Sequence, residues 1–468
     1  MKTIKHLLFL IVTITTLNNY AQCSSKIISG AYHNCIQKTD GSLFVFGSGT
    51  YGELGNSSDT NEYTPISLTA NTNWQQIVCG TQITLAINSN GTLWGTGFNL
   101  YGGLGIGSMI DHLSVLTQIG TATNWKQIAS DANFTIALKT DNSLWGWGQN
   151  DGYQMGDGSC CANRLAPATI GTATDWKMVA VSHARSAFAI KNNGTLWCWG
   201  SNIAALLGDN LVTGRAFPTQ HNTATDWASI TLGVAHMLAL KTNGTLWSWG
   251  DGGHGETGDG LPANYNRFTP LQIGTSTWKA VAGGLNTSYG IKTDGTLWAW
   301  GLNDVGQLGL GNTTNQPFPV QIGTDTNWDK VTAGYQGAIA LKTNGSLWAW
   351  GDNSAGQYGN GTTVSSTTPV YIPIAGCTLA NEQFALGSNG LLLSPNPSKN
   401  RVTITYYTHN ENSTLEVCSI LGKKIADYKA VSGSGSWELN TSNLAAGVYT
   451  VVMRENNLVL MQKKLIVE

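Results

Sequence analysis

Residues Lys241–Gly250 read KTNGTLWSWG, and versions of this phrase occur seven times along the 468-residue chain. The Asn-Gly pair stands between two short apolar runs, which is a strong local signal for a β-hairpin in which both turn residues take positive φ. On the outgoing run, Trp247 and Trp249 lie two residues apart and so share one face of a strand. The phrase therefore predicts a tight hairpin whose second strand carries paired aromatic residues.

The copies are evenly spaced, with steps of 50, 51, 52, 50, 51 and 50 residues between successive turn positions. Those positions are Gly41, Gly91, Asn142, Gly194, Gly244, Gly295 and Gly345. A tryptophan-led run precedes six of the hairpins, and a proline-centred run such as Thr269-Pro270-Leu271 follows in several units, which suggests four strands per unit. Sheets of this size must stack to bury both faces, and a closed circle leaves no exposed edge. We therefore predict an all-β chain with a seven-bladed β-propeller at residues 22–375, built from repeats of about 51 residues.

The order of motifs within each unit points to a family. W-x-x-I-x-x-G is followed by A-L-K-T-N-G-x-L-W-x-W-G, then by G-Q-L-G-x-G as at Gly306–Gly311, and then by P-V-Q-I-G. From about Ser24 to Ile374 this order closely resembles the repeats of the regulator of chromosome condensation family. The resemblance implies several functions: nucleotide exchange on a small GTPase, ultraviolet sensing in plants, or clamping of a partner protein by secreted bacterial members. The motifs of the first two are not found here, so the secreted group is the nearest match.

The N-terminus predicts export. Lys2 and Lys5 precede an apolar stretch at Leu7–Leu17, which is too short to span a bilayer and suits a signal peptide over residues 1–21. No later stretch is long and apolar enough to predict a transmembrane segment.

The C-terminus predicts a separate module. A linker at residues 376–390 leads to alternating strands over 391–468, typical of a small Ig-like β-sandwich. The motifs PNPS, ILGKK, LAAGVY and KKLIV appear there in order. This order is similar to the C-terminal sorting domain of type IX secretion, which implies recognition by that machinery, passage across the outer membrane, and release or attachment at the cell surface.

Composition and motifs exclude several function classes. Only 11% of residues are charged and the formal net charge is −2, so no basic surface is expected for nucleic acid. We find no Ser/His/Asp or Cys/His arrangement and therefore predict no catalytic residues, no cofactor and no metal, although a pocket built from several loops leaves no linear motif. His33 and His236 share one repeat position, where a structural hydrogen bond to a neighbouring blade is favoured over metal binding. The periodic tryptophans are interpreted as packing residues.

One face of the predicted ring is variable. Strand parity places the loops between the first and second strands (a–b loops) and between the third and fourth strands (c–d loops) on the same face. These loops differ between units, and aromatic and arginine side chains anchor interfaces, but a simple lack of constraint explains the variation equally well. The predicted partner-binding rim comprises Tyr32, His33, Asn133, Phe134, His183, Arg185, His236, Tyr265, Arg267, Asn286, Tyr335 and Gln336.

The sequence therefore predicts a secreted or surface-displayed protein-binding module with an extracellular partner. A carbohydrate- or matrix-binding role is the alternative, followed by an enzyme with a loop-built pocket.

The eight cysteines of an exported chain are able to form disulfides. Cys23 and Cys377 flank the repeats and are a possible pair, since the ends of a closed ring are neighbours. Cys160 and Cys161 form either a vicinal disulfide or two separate thiols. Cys35, Cys79 and Cys198 occupy mainly apolar or small repeat positions and are predicted to be buried.

Overall fold

The computed structural model describes residues 24–68, 73–131, 133–261, 265–372, 390–394, 398–408, 413–419, 423–430, 433–455 and 458–468. The predicted signal peptide, Cys23, Cys377 and nearly all of the predicted linker lie outside these residues. The chain divides into two compact units, Met1–Leu379 and Ala380–Glu468.

The first unit contains the seven sequence repeats, and its strands follow the predicted order. Repeats 1 and 2 form β1 (Ser24–Ser29), β2 (His33–Lys38), β3 (Leu43–Gly47), β4 (Glu62–Leu68), β5 (Trp74–Cys79), β6 (Ile83–Asn88), β7 (Leu93–Phe98) and β8 (His112–Ile119). Repeats 3 and 4 form β9 (Trp125–Ser130), β10 (Phe134–Lys139), β11 (Leu144–Gly148), β12 (Arg164–Thr169), β13 (Trp176–Ser182), β14 (Ser186–Lys191), β15 (Leu196–Gly200) and β16 (Arg215–Gln220), with a 3₁₀ turn at Ile203–Ala205. Repeats 5 to 7 form β17 (Trp227–Leu232), β18 (His236–Lys241), β19 (Thr245–Gly250), β20 (Arg267–Gly283), β21 (Thr287–Lys292), β22 (Leu297–Gly301), β23 (Gln316–Gln321), β24 (Trp328–Ala333), β25 (Gly337–Lys342), β26 (Leu347–Gly351) and β27 (Ser366–Ile372).

Each repeat makes an antiparallel sheet in which consecutive strands pair. Repeats 1, 2, 3, 4 and 7 give separate four-stranded sheets, whereas β17 to β23 form one seven-stranded sheet. The long strand β20 causes this fusion, because it pairs with β19 through its first half and with β21 through its second half. The connection between Ile273 and Trp278 is one residue shorter than that between Ile119 and Trp125.

The hairpin turn differs from the predicted two-residue type. In repeat 5 the amide of Gly244 donates to the carbonyl of Lys241 over 2.8 Å, and of the turn residues only the glycine has positive φ, at 79°. The loop is thus a three-residue turn that ends in a left-handed glycine. The asparagine has a different role: Asn243 Oδ1 accepts from the backbone amide and the hydroxyl of Thr245, and that hydroxyl accepts from the indole of Trp247 over 3.0 Å. This relay explains the N-G-T-L-W part of the phrase.

The lysine before the turn also has a packing role. Lys292 Nζ lies 3.4 Å from the ring centroid of Trp298 and 5.4 Å from that of Trp278. Repeats 3, 4, 5 and 7 place a lysine between two tryptophans in the same way. These tryptophans are therefore cation–π and packing residues, as the periodicity indicates.

The second tryptophan of the phrase joins neighbouring repeats. Trp147 is fully buried and its indole donates to the carbonyl of Gly103 in the preceding repeat over 2.8 Å. A Cβ on Gly105 would lie only 2.7 Å from the Trp147 indole nitrogen, so this position accepts only glycine. The G-x-G motif is consequently a docking surface for the tryptophan of the next repeat.

The first repeat packs against the seventh with the same contact. Phe46 takes the place of the tryptophan, and a Cβ on Gly359 would lie 2.8 Å from its ring. The Asn34 side chain donates to the carbonyl of Gln357 over 2.8 Å. The contact between consecutive repeats is thus repeated between the two ends of the array.

The second unit is a small β structure with its own core. Its strands are β28 (Gly390–Ser394), β29 (Arg401–Thr408), β30 (Ser413–Ser419), β31 (Lys424–Lys429), β32 (Gly433–Asn440), β33 (Gly447–Glu455) and β34 (Leu458–Val467). They form a three-stranded sheet, β28-β29-β32, and a four-stranded sheet, β31-β30-β33-β34. Ile404, Tyr406, Leu415 and Val451 belong to the apolar cluster of this unit.

The described cysteines fall into three groups, one of which is the single free and partly buried Cys418 of the second unit. Cys160 and Cys161, in a c–d loop, form a vicinal disulfide. Cys35, Cys79 and Cys198 are buried, as predicted.

Candidate functional site at the central channel

The a–b loops of all seven repeats surround a cavity of about 140 Å³. In five repeats the loop begins with a glycine: Gly30, Gly80, Gly233, Gly284 and Gly334. A Cβ on Gly30 would lie 2.4 Å from the carbonyl oxygen of Gly80, which explains the glycine. Backbone hydrogen bonds link successive loops, for example from the amide of Tyr335 to the carbonyl of Ala31 over 3.0 Å.

Repeats 3 and 4 depart from this pattern. Asp131 stands where five repeats have glycine, and the first strand of repeat 4, β13, has seven residues where those of its neighbours β9 and β17 have six. The loop after β13 closes through a hydrogen bond from the amide of Arg185 to the carbonyl of Ser182, and Arg185 takes a positive φ of 66°. As a result, Asp131 and His183 both line the channel.

Four side chains from four different repeats meet there: Thr81, Asp131, His183 and Tyr335, which we call the channel cluster. His183 Nδ1 lies 2.8 Å from Asp131 Oδ2. The Thr81 hydroxyl donates to Asp131 Oδ1 over 2.6 Å and lies 3.0 Å from the Tyr335 hydroxyl. The Tyr335 hydroxyl is also 3.2 Å from His183 Nδ1. Repeats 2, 3, 4 and 7 are thus joined by one polar network.

The electrostatics of the cluster favour an Asp–His ion pair. The Asp131 carboxylate raises the pKa of His183 above its usual value, and partial burial opposes this effect. Burial raises the pKa of Tyr335 to about 12, so its phenol stays protonated at neutral pH. The His183 side chain remains 41% exposed, and the network is therefore accessible from solvent.

This geometry suits binding better than nucleophilic catalysis. In a Ser-His-Asp triad the nucleophile and the carboxylate contact opposite nitrogens of the imidazole. Here Thr81, Asp131 and Tyr335 all approach Nδ1. The histidine is therefore not placed to take a proton from Thr81 on one nitrogen while Asp131 stabilises the resulting imidazolium through the other.

Besides His183, three predicted rim residues are exposed, and two of them, Tyr32 and Arg185, lie beside this cluster. Tyr32 is 37% exposed and packs edge-on against Tyr335 with ring centroids 5.5 Å apart. Arg185 is exposed and pairs with Asp151 over 2.9 Å. Tyr265 is 51% exposed on a c–d loop.

Three predicted rim residues are instead buried, and the prediction that they contact a partner is corrected. His33, Phe134 and His236 are the first residues of β2, β10 and β18, and each pairs with the glycine that ends the third strand of its sheet. They are at most 1% exposed. Both histidines bond to the next repeat, as predicted: His33 Nε2 lies 2.9 Å from Thr84 Oγ1 and His236 Nε2 lies 2.8 Å from Ser288 Oγ.

The remaining predicted residues serve their own loops. Arg267 forms a salt bridge with Asp259 within one c–d loop and is partly buried. Asn133, Asn286 and Gln336 are half-buried, and their carbonyls accept hydrogen bonds from the amides that follow the third strand.

Sequence reasoning missed Thr81 and Asp131 as site residues. Two features of the sequence point to this site. Asp131 stands at a position where five repeats have glycine, and the spacing of 52 residues between the turn positions Asn142 and Gly194 shows that repeat 4 has an extra residue near His183.

These features define a class: a β-propeller of repeated antiparallel sheets with a loop-built site at its channel. The repeats are regulator of chromosome condensation repeats, matched by one family model at residues 40–87, 294–341 and 344–389 and by a second at 125–154, 227–256, 278–307 and 328–357. Residues 393–468 match the secretion system C-terminal sorting domain. The chain therefore carries regulator of chromosome condensation repeats and a C-terminal secretion sorting domain.

Relatives and solved structures agree with this assignment. The chain is 30% identical to the ultraviolet-B receptor UVR8 of Arabidopsis thaliana over 196 residues, which cover 41% of this chain and 44% of the receptor. It is 26% identical to the mitochondrial RCC1 domain-containing protein RUG3 of the same plant, over 63% of this chain and 69% of that protein. Human WBSCR16 superposes with a TM-score of 0.65 at 17% identity, covering 72% of this chain and 94% of that one. Yeast RCC1 (Prp20), solved bound to Kap60, gives 0.64 at 19% identity, covering 80% and 92%. At these identities the structures support the propeller fold alone.

The sorting domain indicates type IX secretion to the cell surface or the extracellular space. None of the described residues forms a helix with the length and hydropathy needed to cross a membrane.

Proposed function

We propose that the exported propeller is a binding module that holds an extracellular protein partner on the face formed by the a–b and c–d loops. The channel cluster and the adjacent Tyr32 and Arg185 form the centre of the proposed contact. The observation that carries this proposal is the meeting of four polar side chains from four repeats at a solvent-accessible position.

The residue types at this position support a protein partner. Tyr32 and Tyr335 are paired aromatic rings with polar ends, and Arg185 is exposed beside them. Tyrosine and arginine are enriched among the residues that dominate binding energy at protein interfaces. Yeast RCC1, which shares the fold, was solved bound to another protein, Kap60.

The proposed architecture is a closed ring of seven blades followed by an Ig-like β-sandwich. Support for the ring comes from the Phe46–Gly359 contact, which joins repeat 1 to repeat 7 as other neighbours are joined. Support for the sandwich comes from two sheets that share one apolar cluster.

Site-specific photocrosslinking at the surface of producing cells tests the function. A photoreactive phenylalanine analogue replaces Tyr32 on the proposed face or, as the matched control, the exposed Asn192 in a hairpin turn on the opposite face. We expect a discrete crosslinked protein with the probe at position 32 and none with the probe at 192. Adding Arg185→Glu should reduce the yield about tenfold or more, because it places a negative charge at the centre of the contact.

Equal crosslinking at both positions, or none at position 32, would contradict the proposal. A glycan-array screen of the purified chain addresses the alternative. If the purified chain binds a glycan and Arg185→Glu abolishes that binding, the ligand of this face is a carbohydrate and the proposal of a protein partner is wrong.

A further inference from the structure

Two buried thiols from neighbouring repeats are in direct contact. Cys35 Sγ, on β2 of repeat 1, lies 3.0 Å from Cys79 Sγ, on β5 of repeat 2. The residues are 0% and 8% exposed and belong to the same apolar cluster, together with Val45 and Leu54. A disulfide has an S–S distance of about 2.05 Å, so bond formation needs an approach of only about 1 Å.

Cys35 and Cys79 both stand at repeat positions where the other repeats have different residues. At the position of Cys35 the other repeats carry larger apolar or aromatic residues, namely Leu85, Ile136, Phe188, Leu238, Tyr289 and Ile339. No other repeat has a cysteine there or at the position of Cys79. The third buried cysteine, Cys198, has no sulfur partner within the described part of the chain. A role as a small buried hydrophobe is therefore sufficient for Cys198 but does not explain why the other two meet.

A bond between Cys35 and Cys79 would stabilise the packing of repeat 1 against repeat 2. Among the strands that the structure describes, the four of the first sheet all come from repeat 1, and none from another repeat pairs with them. On the side of repeat 7, it is held by side-chain packing and by hydrogen bonds such as that from the Ser29 amide to Thr332 Oγ1 over 3.2 Å. A covalent bond to repeat 2 would anchor the repeat on its other side.

We propose that Cys35 and Cys79 form a disulfide in the exported protein, which ties the first repeat to the second. The oxidant is a protein disulfide of the cell envelope. One cysteine thiolate attacks that disulfide and releases one of its sulfurs as a thiol. The second thiolate then attacks the Cys35 or Cys79 sulfur of the mixed disulfide, so that one S–S bond forms, one breaks, and the oxidant leaves as a dithiol with two electrons.

Burial determines when this reaction occurs. Burial raises the pKa of the Cys79 thiol well above its usual value, which makes the reactive thiolate scarce once the repeats have packed. The bond therefore forms while the chain folds, and the same packing then protects it from reductants. The Cys160–Cys161 disulfide lies in a loop where Cys161 is exposed, and it is open to reduction in the folded state.

Peptide mapping of the exported full chain tests the proposal. Trypsin releases residues 27–38, which contain Cys35, and residues 39–126, which contain Cys79. The protein is unfolded and alkylated without reductant before digestion. We expect peptide 27–38 to be linked to peptide 39–126 and to appear at its own mass only after reduction. Recovery of peptide 27–38 in alkylated form without prior reduction would overturn the proposal.

Two variants and one treatment sharpen the result. Cys79→Ser should release peptide 27–38 without reduction, whereas Cys198→Ser should leave the link intact. Mild reductant on the folded wild-type protein should open Cys160–Cys161 and leave the 27–38 link in place. If Cys79→Ser does not fold, the wild-type map still decides, because it needs no variant.

Discussion

Asp131 Oδ2 and His183 Nδ1 lie 2.8 Å apart, although the two residues come from different repeats and neither matches the glycine found at this loop position in five other repeats. The Tyr335 hydroxyl of the last repeat lies 3.2 Å from the same nitrogen of His183, so the network extends from repeats 3 and 4 to repeat 7. The pair therefore reports on the packing of the channel as well as on the proposed binding face.

We expect Asp131→Asn to lower the pKa of His183, because the charge that raises this pKa is removed while the opposing burial remains. A histidine whose folded-state pKa is raised stabilises the fold fully below its unfolded pKa of about 6.5, and this contribution is lost as pH rises through the folded value. The stability difference between wild type and Asp131→Asn should accordingly be largest near pH 5.5 and smaller above about pH 8. NMR titration of the imidazole and denaturant unfolding at both pH values measure the two effects.

The matched control is Asp329→Asn, which changes the net charge equally but removes the pairing of Asp329 with Lys279. It should leave the His183 titration unchanged. An Asp131→Asn titration that coincides with the wild type would mean that the two side chains are not paired in solution.

The sequence predicted the hairpins, the strand order and the packing role of the tryptophans, because each follows from a local pattern repeated seven times. It did not predict which loop residues are exposed: His33, Phe134 and His236 lie near the loops but begin strands, and pairing with a glycine of the third strand buries them. The contact of Thr81 with Tyr335 spans 254 residues and arises only from ring geometry, which no local pattern encodes.

The docking of aromatic rings on glycine makes a stability prediction. Gly309 has a φ of 72°, and an added Cβ would lie 2.8 Å from the Trp350 ring, whereas Gly323 has a φ of 61° with nothing within 4 Å. Both alanine variants pay about 1 kcal/mol for the left-handed backbone, and Gly309→Ala adds about 1–3 kcal/mol of overpacking. Denaturant unfolding should therefore show a clearly larger loss for Gly309→Ala, and equal losses would argue against this contact.

The lysine between two tryptophans makes a second stability prediction. Lys292→Met keeps the apolar stem but removes the charge above Trp298, so we expect a loss of about 1 kcal/mol. This loss should persist in about 1 M salt, because a partly buried cation–π contact is weakly screened. Lys279→Met is the control, since its exposed ion pair with Asp329 is worth little and is screened by salt. A Lys292→Met effect that disappears in high salt would point to ordinary surface electrostatics.

His221 makes the last prediction, because it stands where other repeats have isoleucine, as at Ile170, Ile273 and Ile322. Its ring lies against Trp249 with ring centroids 5.3 Å apart, and both ring nitrogens are buried. Burial lowers the pKa of His221 to about 4. Between about pH 6.5 and pH 4 the imidazole is therefore protonated in the unfolded chain but neutral in the folded protein, which lowers the stability of the fold as pH falls. His221→Ile should therefore be about 1 kcal/mol more stable than wild type at pH 7.5, with an advantage that grows toward about 3 kcal/mol as pH falls to 4.5.

In contrast, the neighbouring carboxylates raise the pKa of His112, so His112→Gln should lose stability relative to wild type over the same acid range. Unfolding midpoints at the two pH values distinguish these opposite trends, and parallel curves for wild type and His221→Ile would show that His221 is solvated.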